Sequence, residues 1–392
     1  MGSLRESTMK YSYNDVMIKP AVLSIIRHRA ECNPYDENGM LPLFTAPMDT
    51  VVSKDNFESF KENGIIPILP RTESLEDRID YACDGKWAAF SLEEFENEFT
   101  KGEVVTANNI KALIDIANGH VTILYELVRK AKSIYKDNIQ IMVGNIANPD
   151  TYRVCVESGV DFCRVGVGGG CGCLSTSNLG VHYPIASLVS EIADIKKELL
   201  ERGVKEEKLT KIIADGGVRN YSDIIKSLVL GADYVMVGSV FARMLESAAV
   251  KTFNNNCSTG KALNLRVPLE RYKSFKYENG YWIGEYTDEF VEKMKNKGRD
   301  ITDRHKEIGQ ISARFYGMAS RAGQIAMKGK KVHTSEGLEK SLPVTYTMQG
   351  WVENFTDYIR SAMSYTNSRT LDELRESDVV LVSMNTYNSV NK

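Results

Sequence analysis

Gln140-Ile-Met-Val-Gly-Asn-Ile-Ala-Asn-Pro-Asp-Thr-Tyr-Arg-Val-Cys-Val-Glu-Ser-Gly-Val-Asp-Phe-Cys-Arg-Val-Gly-Val167 holds one whole strand–helix–strand unit. Two short apolar runs, Gln140–Gly144 and Asp161–Val167, read as buried parallel strands, and Asp150–Ser158 between them reads as a short helix. Working outward, similar runs stand at Leu41–Thr45, Gly64–Leu69, Lys86–Ser91, Ala112–Ile116, Lys211–Ala214 and Tyr234–Val237, which makes eight. Most are spaced by roughly 21 to 28 residues, the length of one unit of a barrel. The amphipathic stretch Ile123–Tyr135 and the long Pro184–Arg202 supply helices, and Pro184 suits a first helical turn, where its missing N–H is harmless. The pattern predicts an α/β fold: a (β/α)8 TIM barrel filling residues 1–392 as a single domain. An insertion is expected after the eighth strand at about 250–310, and Met348–Tyr365 is expected as a final packing helix. Within the insertion, the charged run Glu292–Lys306 reads as a solvated helical face.

The gap between the sixth and seventh strands is about twice the rest, so the sixth loop is long. Loops at the C-terminal ends of barrel strands build active sites, and unusually long ones are usually functional. This loop reads Val165-Gly-Val-Gly-Gly-Gly-Cys-Gly-Cys-Leu-Ser-Thr176. Glycines let backbone amides and carbonyls approach a ligand or ion closely. It matches neither a dinucleotide fingerprint, whose third glycine would fall on Cys171, nor a P-loop, since no Gly-Lys-Ser/Thr follows. A cysteine among such backbone dipoles can serve as a nucleophile. A zinc site of Cys163, Cys171, Cys173 and His182 is the competing reading, and Cys-x-Cys spacing suits it poorly.

Other strand tips are polar as well. Ile212-Ile-Ala-Asp-Gly-Gly-Val218 ends a strand in an acid suited to ribose hydroxyls, followed by glycines whose amides can face a phosphate. The eighth strand ends Val237-Gly-Ser239, and the loops after strands seven and eight commonly hold phosphate in barrels. Asp115 and Asn118 stand at the fourth tip, Asn145 at the fifth, and Met48 and Asp49 at the first. Asp and Asn often merely cap helices, but polar residues at five or six tips of one barrel are harder to dismiss.

Composition narrows the classes. A net charge of −3 offers no field for nucleic acid or an acidic membrane surface. No apolar run approaches the roughly 18 residues of a membrane span, and the N-terminal stretch lacks the apolar core of a secretory signal. The seven cysteines are odd in number and lie mostly in apolar segments, which reads as reduced thiols in the cytoplasm. Cys83, Cys155 and Cys163 read as small core hydrophobes. Cys171 and Cys173, on glycine-rich chain, do not.

Taken together, Tyr13-Asn-Asp-Val-Met-Ile-Lys-Pro20, Ala46-Pro-Met-Asp-Thr-Val51, the Asp115 and Asn145 tips, the Gly166–Cys173 loop, Ala214-Asp-Gly-Gly217, Phe315-Tyr-Gly-Met318 and Ser335-Glu-Gly337 resemble the IMP dehydrogenase/GMP reductase superfamily. The resemblance runs from Tyr13 to about Leu374. It implies an oxidoreductase whose Cys173 attacks C2 of a purine nucleoside monophosphate, with Ser175 and Glu336 shuttling protons. It further implies substrate contacts from Met48, Asn145, Asp215, Gly216, Gly217, Gly238, Ser239, Tyr316, Gly317, Met318, Ser335 and Gly337. Asp115, Ala117 and Asn118 would line the side of a nicotinamide cofactor, NADP or NAD. Carbonyls of Gly168, Gly170 and Cys173 would hold potassium, and the assembly would be a homotetramer.

Where the family usually has Gly-Pro-Gly-Ser-x-Cys-Thr-Thr, this chain has Gly-Gly-Gly-Cys-Gly-Cys-Leu-Ser. Residues 319–335 hold no Arg-Tyr pair, which IMP dehydrogenases use to hydrolyse the adduct, and the regulatory CBS module common in the dehydrogenases is missing. The segment Asp115-Ile-Ala-Asn-Gly-His120 looks like GMP reductase, the NADPH-dependent enzyme that deaminates GMP to IMP. NAD-dependent oxidation of IMP to XMP stays open as an alternative, as does a barrel that binds a nucleotide without turning it over.

Overall fold

The structure is a computed structural model, and it describes residues 9–101, 107–254, 269–299, 301, 303–328, 334, 335 and 337–383. Its centre is a parallel sheet of eight strands: β1 Leu43–Thr45, β2 Ile68–Leu69, β3 Trp87–Phe90, β4 Ile110–Asp115, β5 Ile139–Ile146, β6 Phe162–Val165, β7 Lys211–Asp215 and β8 Tyr234–Val237. Each lies beside its neighbours in chain order, and β8 pairs with β1. The seam between β1 and β2 closes through a parallel bridge of Phe44 and Ile66. There Thr45 N–H donates to Ile66 O at 3.0 Å and Ile66 N–H to Leu43 O at 2.9 Å. This is a closed (β/α)8 barrel. All eight apolar runs of the sequence fall on its strands.

Alternation along the strands sorts the side chains into two cores. Phe44, Ile68, Trp87, Leu113, Met142, Phe162, Ile213, Tyr234 and Met236 fill the barrel interior. The alternate residues, such as Ala112, Ile114, Ile141, Val143, Cys163, Val165, Ile212 and Ala214, face the surrounding helices. The interior is anchored by an aromatic cluster in which the Phe44 ring meets Trp87, Phe162 and Tyr234 edge-on at centroid distances of 6.0, 6.0 and 5.2 Å. Edge-to-face contacts of this kind add to area burial.

The helices stand where the periodicity puts them, at Thr122–Tyr135, Thr151–Ser158, Ile185–Glu201 and Met348–Tyr365. Pro184 caps the third of these, with φ of −57°. No helix among the described residues is long and apolar enough to cross a membrane.

After β8 the chain builds an antiparallel sheet of β9 Lys251–Asn254, β10 Tyr272–Glu278, β11 Tyr281–Tyr286, β12 His305–Tyr316 and β13 Glu339–Pro343. The twelve-residue β12 pairs with β9, β11 and β13 in turn. Trp282, Ile311, Ala313, Val344, Leu245 and Ala249 make its own small core, and Trp282 Nε1 donates to Val344 O at 2.9 Å. The charged run expected as one helical face is divided. A helix occupies Asp288–Asn296, Gly298 turns the chain with φ of +73°, and the run's end joins β12. Charge density marks exposure in helix and edge strand alike, so it did not locate that boundary. A short ribbon of Val16–Ile18 with Val379–Leu381 joins the two ends of the chain outside the barrel.

Phe44→Ala removes the ring that three aromatic neighbours touch. The expected loss of stability is about 3–5 kcal/mol, the usual range for a buried Phe deletion. Urea unfolding followed by tryptophan fluorescence measures it, and a loss below about 1 kcal/mol would show that the cluster does not anchor the barrel.

Candidate active site

At the C-terminal mouth of the barrel the interior turns from apolar to ionic. Arg164, on β6, points inward above Phe162 and is 7% exposed. Its Nη1 donates to Asp115 Oδ1 at 2.5 Å, while Nε and Nη2 donate to Asp215 Oδ2 at 3.1 and 2.9 Å. Burial alone opposes the charge on Arg164, but the two carboxylates outweigh it and raise its pKa. Asn145 Nδ2 adds bonds to the same Asp215 oxygen at 2.7 Å and to Gly166 O at 2.8 Å. Opposite, Arg71 at the tip of β2 donates to the Asp115 carbonyl at 3.3 Å, and its buried Nε has no partner among the described residues.

Room for the close approach of β5 and β6 at Arg164 comes from Gly144, which pairs with it. A Cβ there would lie 2.6 Å from Arg164 Cβ. The register then shifts between Gly144 and Ile146, and Asn145 reaches over the mouth toward Asp215. Asp115, Asn145 and Asp215, expected from the sequence, are therefore one hydrogen-bonded group. Arg164 and Arg71, which join them, were not expected. The signal for Arg164 was available: it is a charged residue inside an otherwise apolar strand.

The glycine-rich loop leaves β6 and packs backbone to backbone against the tip of β7. Gly217 N–H donates to Gly169 O at 2.8 Å, and Gly216 and Gly217 hold φ of +97° and +76°, which glycine alone adopts freely. Thr176 Oγ1 donates to Gly168 O at 3.0 Å. Cys173 N–H donates to Gly170 O at 3.0 Å, closing a turn over Cys171 and Gly172. Cys173 is half-buried and forms an antiparallel bridge with Gly337. Leu338 N–H donates to Gly172 O at 2.9 Å, and Gly317 N–H donates to Leu338 O at 3.2 Å. The approach is close: a Cβ on Gly317 would sit 2.6 Å from Gly172 O.

Strand β12 thus brings Tyr316, Gly317 and Met318 to the cysteine loop. Tyr316 Oη donates to Asp49 Oδ2 at 2.5 Å, and Asp49 Oδ1 is buried without a partner among the described residues. Burial pushes the Asp49 carboxyl above the usual carboxylate range. Met48 lies beside Gly238, where a Cβ would be 3.6 Å from its sulfur, and Ser239 opens the helix Ser239–Ala242. Ser335 Oγ donates to Gly337 O at 3.0 Å. Ala117 and Asn118 are exposed in the loop after β4, where Asn118 Oδ1 accepts from His120 N–H at 3.2 Å. Ser175 begins the helix Ser175–Leu179 directly after the cysteine, and Glu336 lies outside the described residues. Among the described residues no three His, Cys, Asp or Glu side chains gather as metal ligands. A cavity of about 340 Å³ lies between the loop after β5 and the helix after β6, lined by Asn148, Asp150, Tyr183 and Glu191; Cys173 is not among its walls.

A closed barrel whose rim joins a cysteine loop, an Asp-Gly-Gly tip and an ionic cluster is the architecture of a barrel enzyme. Residues 84–264 match the model of the IMP dehydrogenase/GMP reductase domain. GMP reductase of Bacillus licheniformis is 30% identical over 251 residues, covering 60% of this chain and 72% of the relative; that of Bacillus subtilis matches to the same extent. GMP reductase of Vibrio vulnificus is 23% identical over an alignment covering 98% of both chains. The chain belongs to the IMP dehydrogenase/GMP reductase family and is an oxidoreductase.

Arg164→Ala would leave the half-buried Asp215 without its counter-charge and Asp115 with only Arg71, 4.0 Å away. A loss of about 3–5 kcal/mol is expected, the cost of breaking a buried ion pair from one side. Chemical denaturation at neutral pH tests this; a loss under about 1 kcal/mol would mean that solvent, not Arg164, satisfies the two acids.

Proposed function

We propose that the protein reduces GMP to IMP and ammonia with NADPH, through a covalent adduct between Cys173 and C2 of the purine. The observation that carries this reading is the docking of the Cys173 turn between the Gly317 and Gly337 segments, beside the Asp215–Gly217 tip. That arrangement sets a thiol next to the groups the resemblance assigns to the nucleotide. Relatives named GMP reductase, one aligned across nearly the whole chain, support the direction of the reaction. The absence of an Arg-Tyr pair from residues 319–335 supports it too.

Asp215 commits Oδ2 to Arg164 and Asn145, so Oδ1 is the oxygen offered to the ribose hydroxyls. Amides around Gly216, Gly238 and Ser239 surround the phosphate, Gly317 passes beside it with its own N–H given to Leu338 O, and Met48 and Met318 cover the base. The Cys173 sulfur adds to C2 as a proton reaches the ring nitrogen, and the 2-amino group leaves as ammonia once protonated, with Ser175 and Glu336 moving these protons. A bound nicotinamide cofactor would supply the hydride for C2, and departure of the Cys173 sulfur then leaves IMP. Its side of the site is Asp115, Ala117 and Asn118. Arg71, with its unpaired buried Nε, fits a polar cofactor group there. The carbonyls of Gly168 and Gly170 already accept one hydrogen bond each, which leaves each a lone pair. With Cys173 they offer part of a potassium shell.

The whole chain is read as one catalytic unit, cytoplasmic and without a CBS module. Val22, Leu23 and Ile25 are 96%, 83% and 67% exposed on the strap that runs past Tyr365. An apolar surface of this kind supports burial in a homotetramer.

Purified protein offered GMP with NADPH should consume NADPH and release ammonia, whereas IMP with NAD should give little NADH. The reverse pattern would establish the dehydrogenase instead, and silence in both with tight nucleotide binding would leave a binding protein. Cys173→Ala should abolish turnover while nucleotide still binds; unchanged turnover would end the covalent mechanism.

A further inference from the structure

We propose that Cys171 is a peroxide-reactive site that forms a reversible disulfide with Cys173 across Gly172. The turn closed by Cys173 N–H and Gly170 O places Cys171 second and Cys173 fourth in a four-residue reversal. Consecutive Cα atoms are about 3.8 Å apart, and folding the chain back brings second and fourth to roughly 5–6 Å. A disulfide bridges that span. Gly172 between them puts no side chain in the way.

The two sulfurs differ in access. Cys171 is exposed, and Lys340 Nζ on β13 lies 3.5 Å from its Sγ, holding it at the outer edge of the loop. Cys173 is half-buried. The other described cysteines are elsewhere: Cys32, Cys155 and Cys163 are buried and Cys83 half-buried.

The chemistry balances with a hydroperoxide as oxidant. The Cys171 thiol attacks the terminal peroxide oxygen; an S–O bond forms, the O–O bond breaks, and an alcohol or water leaves. Cys173 then attacks the sulfenic sulfur, the S–S bond forms and water departs. Two thiols and one hydroperoxide give one disulfide, one alcohol and one water. A ring closed over a single intervening residue is strained, which makes it easily reduced by small thiols. While it lasts, the sulfur proposed as nucleophile is occupied. That last consequence rests on the function proposed above, but the disulfide does not.

Full-length protein is treated with one to a few equivalents of hydrogen peroxide, alkylated, and mapped by mass spectrometry. Expected is a peptide carrying residues 171 and 173 that is lighter by two hydrogens and closed to alkylation. Dithiothreitol restores both thiols and, with them, turnover of GMP and NADPH. Cys171→Ser and Cys171→Ala should be as active as the parent before oxidation, yet lose turnover irreversibly as Cys173 gains two or three oxygens. Two alkylatable thiols after peroxide, or equal oxygen gain at Cys173 in parent and variants, overturns the proposal. A disulfide that forms while turnover persists supports it and removes Cys173 from catalysis.

Discussion

A guanidinium buried in the mouth of the barrel, with an aspartate on either side, sets the terms for everything around it. Arg164 enters a parallel strand where an apolar residue would be the ordinary occupant, and its charge is tolerable there only because Asp115 and Asp215 meet it from β4 and β7. The three side chains therefore hold three strand tips in fixed relation. Gly144 lets β5 approach β6 at this point, because a side chain on it would collide with the Cβ and carbonyl oxygen of Arg164. Asn145, displaced by the neighbouring register shift, completes the group by binding Asp215 and the carbonyl that begins the glycine loop.

A second constraint is the close approach of backbones. Gly172 lies against Gly317 at a distance a Cβ would violate, and Gly169 lies against Gly217 with little room to spare. The cysteine turn is consequently held by main-chain bonds on two sides, from the β7 tip and from the segment leading into β13. This gives the antiparallel sheet after β8 a role beyond its own small core. Its longest strand, β12, begins among charged residues far from the mouth and ends with Tyr316 against Asp49.

Much of this was legible in the chain. The eight apolar runs located the eight strands because a parallel strand buried on both faces must be apolar throughout. The helix Met348–Tyr365 agreed to the residue. The polar tips Asp115, Asn145 and Asp215 were legible because several such runs end in an acid or amide, where any one alone could have been a helix cap. The charged stretch near residue 300 was not, since solvent accepts lysine and glutamate from helix and edge strand equally. Arg71 and Arg164 were not legible as partners of Asp115 and Asp215, because a basic residue within or beside a strand carries no local sign of the carboxylates that meet it from other strands.

By itself the sequence determined the barrel, the order of its units, the family and the loop that carries the two cysteines, since periodicity and local motif are properties of consecutive residues. Only the tertiary structure decided which tips act together: residues 71, 115, 145, 164 and 215 are distant in the chain, and charge pairing across a closed barrel is what joins them. It also decided that the Tyr-Gly-Met end of β12 meets the cysteine turn, because the contact depends on two glycines, Gly172 and Gly317, whose missing side chains leave no local trace of the partner they admit.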